Sequence, residues 1–157
     1  TYTGYSAICF AQGLADGGEV HTIDYNEELE NIITRYREEA GLTDKIKLYI
    51  GNAREIIPAL DYTYDLVFID ADKESYLNYY EMVMPKVRQG GFILIDNVLW
   101  DGKVIYPGKY TDEETRNIVA LNDHIKDDSR VEQLLLPFRD ALAAVKFMIW
   151  HNCFSLR

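Results

Sequence analysis

Hydrophobic and polar positions along the chain follow two rhythms in turn. Short apolar stretches, alternating or unbroken, give way to longer ones in which apolar residues recur every three or four positions. The stretch "EVHTID" (19–24) is short and β-branched and ends in an acid, as a strand does. In "NEELENIITRYREEAG" (26–41), Leu29, Ile32, Ile33 and Tyr36 fall on one helical face, and Gly41 is placed as its C-cap. "KIKLYIG" (45–51) alternates as a strand, and "NAREIIPAL" (52–60) reads as a short helix capped by Asn52. "YDLVFID" (64–70) and "GGFILIDN" (90–97) are nearly unbroken apolar runs, the pattern of strands buried on both faces. Between them "KESYLNYYEMVMPKV" (73–87) predicts an amphipathic helix. A loop with aromatics, Gly and Pro spans 98–111, and "DEETRNIVALNDHIKDD" (112–128) predicts a helix whose first-turn acids complement the helix dipole. "RVEQLLLP" (130–137) and "ALAAVKFMIW" (141–150) read as final strands.

This alternation predicts an α/β fold with a mostly parallel sheet. Ligands of such sheets bind beyond the carboxyl ends of the strands. The positions that matter are then Asp24, Gly51-Asn52-Ala53, Asp70-Ala71-Asp72-Lys73 and Asp96-Asn97. The chain opens "TYTGYSAICF", a Gly turn leading directly into an apolar helix-like run. No repeat, low-complexity tract or linker interrupts the pattern.

Composition adds bounds rather than direction. At 157 residues, one domain with a real core is expected. A net charge of -10 and the absence of a Lys/Arg run argue against non-specific nucleic-acid binding. Cys9 and Cys153 form neither a disulfide framework nor a CxxC motif, which fits a cytoplasmic protein. No apolar run reaches the ~18 residues of a membrane span, so no membrane partner is expected.

Three constellations could carry chemistry. Asp24 follows Gly4 by 20 residues, the spacing of a nucleoside site in which Gly admits the ligand and the acid bonds the ribose. On spacing alone Asp24 could equally cap the next helix, and NAD is not distinguished from S-adenosylmethionine. Asp70, Asp96 and Asn97, at the ends of two adjacent strands, are hard oxygen donors suited to Mg²⁺ or Ca²⁺; the alternative is turn formation. Lys73 lies three residues beyond Asp70. A dication at Asp70 would disfavour its ammonium form and let it act as a base, whereas without one it is a solvated Lys at a helix start. Trp100 could wall a planar substrate or anchor the core. The many tyrosines suit core or interface roles. His21, His124 and His151 show no triad or metal spacing, and no nucleophile elbow, P-loop or HExxH motif occurs.

Taken together, "TYTGYSA", "IDYN", "GNAREIIPAL", "YDLVFIDADKESYLNYYE" and "ILIDNVLWDGKV" closely resemble the metal-dependent class I O-methyltransferases, the family of catechol and caffeoyl-CoA O-methyltransferases and their bacterial relatives. The resemblance runs from residue 1 to about residue 140. It implies a Rossmann-like class I methyltransferase fold with helices on both faces of the sheet, and one domain over residues 1–157. It implies that Asp70, Asp96 and Asn97 bind the metal, normally Mg²⁺ with Ca²⁺ or Mn²⁺ as alternatives, and that Lys73 is the catalytic base. Thr1, Tyr2, Gly4 and Ser6 match the methionine-side cofactor loop. Asp24 matches the acid on the ribose, Ala53 lies by the adenine, Asp72 is a further cofactor contact, and Trp100 and Asp101 fall in the substrate loop. The implied cofactor is S-adenosylmethionine, and the implied substrate is a small aromatic with neighbouring hydroxyls. A homodimer is suggested by resemblance alone. The alternatives are a hydroxylated tRNA base as acceptor, a nucleotide-dependent oxidoreductase, and a non-catalytic fragment.

The sequence departs from the family in three places. Relatives have a strand ending in Glu-Ile-Gly or similar before the "TYTGYS" stretch. The chain is accordingly expected to be N-terminally incomplete, leaving strands 19–24 and 64–70 without their shared neighbour. Ala141 stands where relatives usually have Gly, and "AAVKFMIWHNCFSLR" is unlike the usual ending.

Overall fold

The computed structural model describes residues 1–106 and 108–148. They divide into two compact units, Thr1–Asp61 and the residues from Tyr62 on.

In the first unit, β1 (Val20–Asp24) pairs in parallel with β2 (Ile46–Ile50), Val20 opposite Ile46 and Asp24 opposite Ile50. Helix α1 (Tyr5–Gln12) starts after Gly4, whose φ of 85° only Gly adopts without strain. Its Ala7 and Ala11 are small enough to pack against Leu42 and Ile46, the centre of this unit's core. Helix α2 (Glu30–Glu39) is led in by a 3₁₀ turn, Glu27–Leu29, capped by the Asn26 side chain. Ile33 is the member of its apolar face that becomes fully buried. The C-cap is Ala40, with Gly41 one position beyond at φ 66°. Helix α3 (Ala53–Ala59) is capped by Asn52, as its sequence predicts.

The second unit holds β3 (Tyr64–Ile69), α4 (Tyr76–Val83), β4 (Val87–Asp96), α5 (Glu113–Asp127), β5 (Val131–Leu136) and β6 (Leu142–Phe147). Its strand order is β3-β4-β6-β5. β3 and β4 are parallel, while β6 is antiparallel to both β4 and β5, so the sheet is mixed. The final strands form where the pattern places them. Trp150, His151 and Cys153 lie outside the described residues.

Local expectations are corrected in two places. Residues 73–87 do not form one helix: 3₁₀ turns at Lys73–Ser75 and Met84–Lys86 flank α4, and Val87 already begins β4. Pro85 has no N–H to give to Glu81, which ends regular helix there. Nor are β3 and β4 buried on both faces. Ile69, Ile93, Ile95 and Val145 are buried on one face, but the cross-strand neighbours Leu66 and Phe92 are exposed on the other. Tyr76, Tyr80, Ile118, Leu121 and Ile125 from α4 and α5 are also buried in this unit. Among the described residues β1 pairs only with β2 and β3 only with β4, so each has an unpaired edge, as expected for strands 19–24 and 64–70.

Candidate active site

In the first unit the chemistry gathers around Asp24, the last residue of β1. The register carries β2 past it, and the Gly51 amide donates to the Asp24 carbonyl at 2.8 Å. That bond sets the Gly51-Asn52-Ala53 turn beside the end of β1. From the other side, the Tyr2 amide donates to Asp24 Oδ2 at 2.8 Å, and the Asn26 amide donates to Oδ1 at 2.9 Å. Partial burial pushes the Asp24 carboxyl up. The amides of Asn26 and Tyr2 outweigh it and hold the carboxyl below its usual value. Thr1 Oγ1 donates to the Ile23 carbonyl at 2.8 Å and lies 2.6 Å from Thr22 Oγ1. Gly4 is buried and closes the turn by donating to the Thr1 carbonyl at 2.9 Å. Ser6 sits in the first turn of α1. Thr1, Tyr2, Gly4, Asp24 and Ala53 are thereby brought to one end of a two-stranded sheet. Asp24 also accepts the amide of Asn26, and it is Asn26 rather than Asp24 whose side chain caps the turn that follows.

In the second unit the register places Ile69 opposite Ile95. Asp70 and Asp96 therefore leave the sheet from adjacent parallel strands at the same end. Asp96 Oδ1 accepts the Asn97 amide at 2.8 Å, and Asn97 is left-handed at φ 60°, which turns the chain out of β4. Lys73 is not solvated: it is 9% exposed. Its Nζ donates to Asp70 Oδ1 at 3.2 Å, to the Ala71 carbonyl at 3.4 Å, and to the Tyr76 hydroxyl. It also lies 4.5 Å from the centre of the Tyr76 ring and 5.8 Å from that of Trp100. Burial, then the charges of Asp70, Asp96 and Asp72, push the Tyr76 phenol far above its usual value. The phenol thus feels both predicted metal-binding carboxylates. Asp72 accepts from Tyr79 at 2.8 Å.

The loop after Asn97 is strained and anchored. Asn97, Trp100 and Asp101 all have positive φ. The Leu99 amide bonds the Asp140 carbonyl, the Val98 amide bonds the Ala141 carbonyl, and the Asp101 amide bonds Asp140 Oδ1 at 2.6 Å. Trp100 Nε1 is buried with no hydrogen-bond partner among the described residues. A donor in that state is suited to a ligand oxygen.

Sequence reasoning missed Tyr76 as the partner of Lys73, although its i+3 spacing from a helix-start lysine was a usable signal. It also missed a cluster around His124. Glu81, His124 and Asp128 bring metal-type donor atoms within 4.8 Å of one another. His124 and Asp128 sit four apart, one helical turn, but no sequence pattern brings Glu81 to them.

Over residues 1–147 the sequence matches the model of a family described as O-methyltransferase. A probable caffeoyl-CoA O-methyltransferase 2 of Dictyostelium discoideum is 38% identical over 149 residues, covering 92% of this chain and 64% of its own length. Caffeoyl-CoA O-methyltransferase 2 of Eucalyptus globulus is 37% identical over 155 residues, covering 90% of this chain and 62% of its own. The chain thus spans under two thirds of the length of these relatives. Among solved structures, the O-methyltransferase of Bacillus cereus in complex with SAH superposes with a TM-score of 0.88 at 29% identity, over 94% of this chain and 70% of that one. A structure of a protein from Klebsiella pneumoniae, described as an O-methyltransferase, gives 0.89 at 25% identity over 95% of this chain and 70% of its own. These likenesses carry the Rossmann-like methyltransferase fold.

Proposed function

The chain belongs to the O-methyltransferase family, and from that premise we propose that it transfers a methyl group from S-adenosylmethionine to a hydroxyl oxygen of a small aromatic substrate with neighbouring hydroxyls, aided by a divalent cation. The observation that carries this reading is Lys73, a buried amine 3.2 Å from Asp70 and one turn from Tyr76, at the end of the sheet that also bears Asp96 and Asn97.

The residues fit the implied groups. Asp70, Asp96 and Asn97 offer oxygen donors from the ends of adjacent parallel strands, the set that suits Mg²⁺, Ca²⁺ or Mn²⁺. When bound, the dication acidifies a hydroxyl and the cofactor supplies an electrophilic methyl group. Lys73 Nζ is the atom placed to take the hydroxyl proton, with Tyr76 and the Ala71 carbonyl fixing its direction. Trp100 walls the substrate and offers its unpaired Nε1–H, and Asp101 holds the loop through its bond to Asp140. For the cofactor we assign Thr1, Tyr2, Gly4 and Ser6 to the methionine side, Asp24 to the ribose, Ala53 to the adenine, and Asp72 to a further contact. Asp24 keeps free lone pairs for ribose hydroxyls after accepting its two amides. One domain over residues 1–157 is part of the proposal, since the family match crosses both units without a break. Caffeoyl-CoA is the substrate in the names of the relatives, so a thioester of a dihydroxycinnamate is the first acceptor to try. The comparisons do not favour the tRNA-base, oxidoreductase or non-catalytic alternatives. Among the described residues no helix is long and apolar enough to cross a membrane.

The test is calorimetric titration of S-adenosylmethionine and NAD⁺, with and without Mg²⁺, followed by a methyl-transfer assay with a catechol acceptor. S-adenosylmethionine binding with Mg²⁺-dependent transfer, lost in Asp70→Asn, is the expected result. Tight NAD⁺ binding would overturn the reading.

A further inference from the structure

Helices α4 and α5 meet at a second group of ionisable side chains, none of it assigned to the methyl-transfer site. Tyr80 lies edge-on to the His124 ring, with centroids 5.8 Å apart. Glu81 Oε1 contacts His124 Nε2 at 2.6 Å and accepts Arg130 Nη2 at 2.7 Å. The same Nη2 donates to Asp128 Oδ2, also at 2.7 Å. One guanidinium nitrogen therefore lies between two carboxylate oxygens, with an imidazole nitrogen on one of them. Asp128 is fixed as the α5 C-cap. Tyr80 donates to its Oδ2 at 2.8 Å, the Arg130 amide donates to its Oδ1 at 2.9 Å, and its side chain is 5% exposed.

We propose that Glu81, His124 and Asp128 form a second divalent-metal site, selective for Zn²⁺-like ions, in which Arg130 is the resident cation that the metal displaces. The donor set is one imidazole and two carboxylates, which suits a borderline ion such as Zn²⁺, unlike the all-oxygen set of Asp70, Asp96 and Asn97. Ion pairing needs only Arg130 and the carboxylates; the His124 nitrogen on the same Glu81 oxygen adds the donor that a metal requires. Arg130 is bound through Nε, Nη1 and Nη2 to Asp128 and Glu81, but it precedes β5 and its side chain is 42% exposed, so a metal that replaces those bonds releases it to solvent. An open cavity of about 510 Å³ borders the cluster and is lined by His124, Asp128 and Arg130. Asp123 and Asp127 also line it, and their charges draw cations toward it.

Co²⁺ serves as the probe, because its visible absorption reports the ligand set, with Zn²⁺ calorimetry for affinity. The proteins are the wild-type chain, Asp70→Asn/Asp96→Asn, His124→Gln, Glu81→Gln and Arg130→Met, each checked for folding by circular dichroism. The absorption is expected to persist in Asp70→Asn/Asp96→Asn, which separates this site from the methyl-transfer site and keeps the result independent of that reading. His124→Gln and the isosteric Glu81→Gln should each weaken Zn²⁺ by at least about tenfold. Arg130→Met should tighten it by about tenfold, because the competing cation is gone. Zn²⁺ affinity unchanged in His124→Gln, or not tightened in Arg130→Met, would overturn the proposal, as would loss of the Co²⁺ absorption in Asp70→Asn/Asp96→Asn.

Discussion

Lys73 holds its amine almost wholly out of water, against a carboxylate, a carbonyl, a phenol oxygen and an aromatic face. A buried amine held this way has few rotamers left, which is what proton transfer at a fixed atom requires. Tyr76→Phe keeps the ring and removes the oxygen. It should lower kcat about tenfold with KM little changed, as expected when a positioning contact is lost; steady-state kinetics beside a thermal melt check this. A second residue is out of place by the same kind of reasoning. Ala141 is fully buried at φ 59°, a conformation that penalises any Cβ. Ala141→Gly is expected to stabilise the chain by about 1 kcal/mol, read as a raised melting temperature.

Among the elements, β4 shows how a strand is bent into place. Tyr64 pairs with Val87, yet Leu66 pairs with Phe92, so β4 bulges against β3 around Gly90 and Gly91. A Cβ on Gly91 would meet Arg88 O and Asp65 O at 2.9 Å, and backbone atoms cannot step aside. Gly91→Ala should cost about 1–3 kcal/mol, measured by urea denaturation. The bulge sets the register that brings Asp70 level with Asp96, so the same variant should also weaken Mg²⁺ binding.

For the molecule as a whole, acid removes stability that its carboxylates supply. Arg130, against the cost of partial burial, holds the Asp128 carboxyl down from 3.8 to about 2. Arg130 and then His124 likewise hold Glu81 low against partial burial, and the Asn26 and Tyr2 amides do the same for Asp24. A carboxyl depressed in the folded state binds fewer protons there than in the unfolded chain. Its contribution is complete above the unfolded value near 3.8 and drains away as the pH falls toward 2. The melting temperature should therefore drop steeply below about pH 4. Asp128→Asn should flatten that slope while costing about 1–2 kcal/mol at neutral pH, with thermal melts across pH as the measurement.

Local pattern alone determined a good deal here. Among the described residues, periodicity located every strand and most helices, because the 2.0 and 3.6 repeats are properties of the local backbone. The residues at strand ends followed, since chain direction in a parallel pair fixes which end is shared. Asn52, Asp70, Asp96 and Asn97 could be named for that reason. Tertiary structure decided what depends on neighbours distant in sequence. An unbroken apolar run was buried on one face because burial depends on what packs against the strand. Lys73 moved from solvent into a phenol-lined niche because α4 packs under the sheet end. Glu81, His124, Asp128 and Arg130 met only because α4, α5 and β5 converge, and no local rule encodes a contact that spans 49 residues.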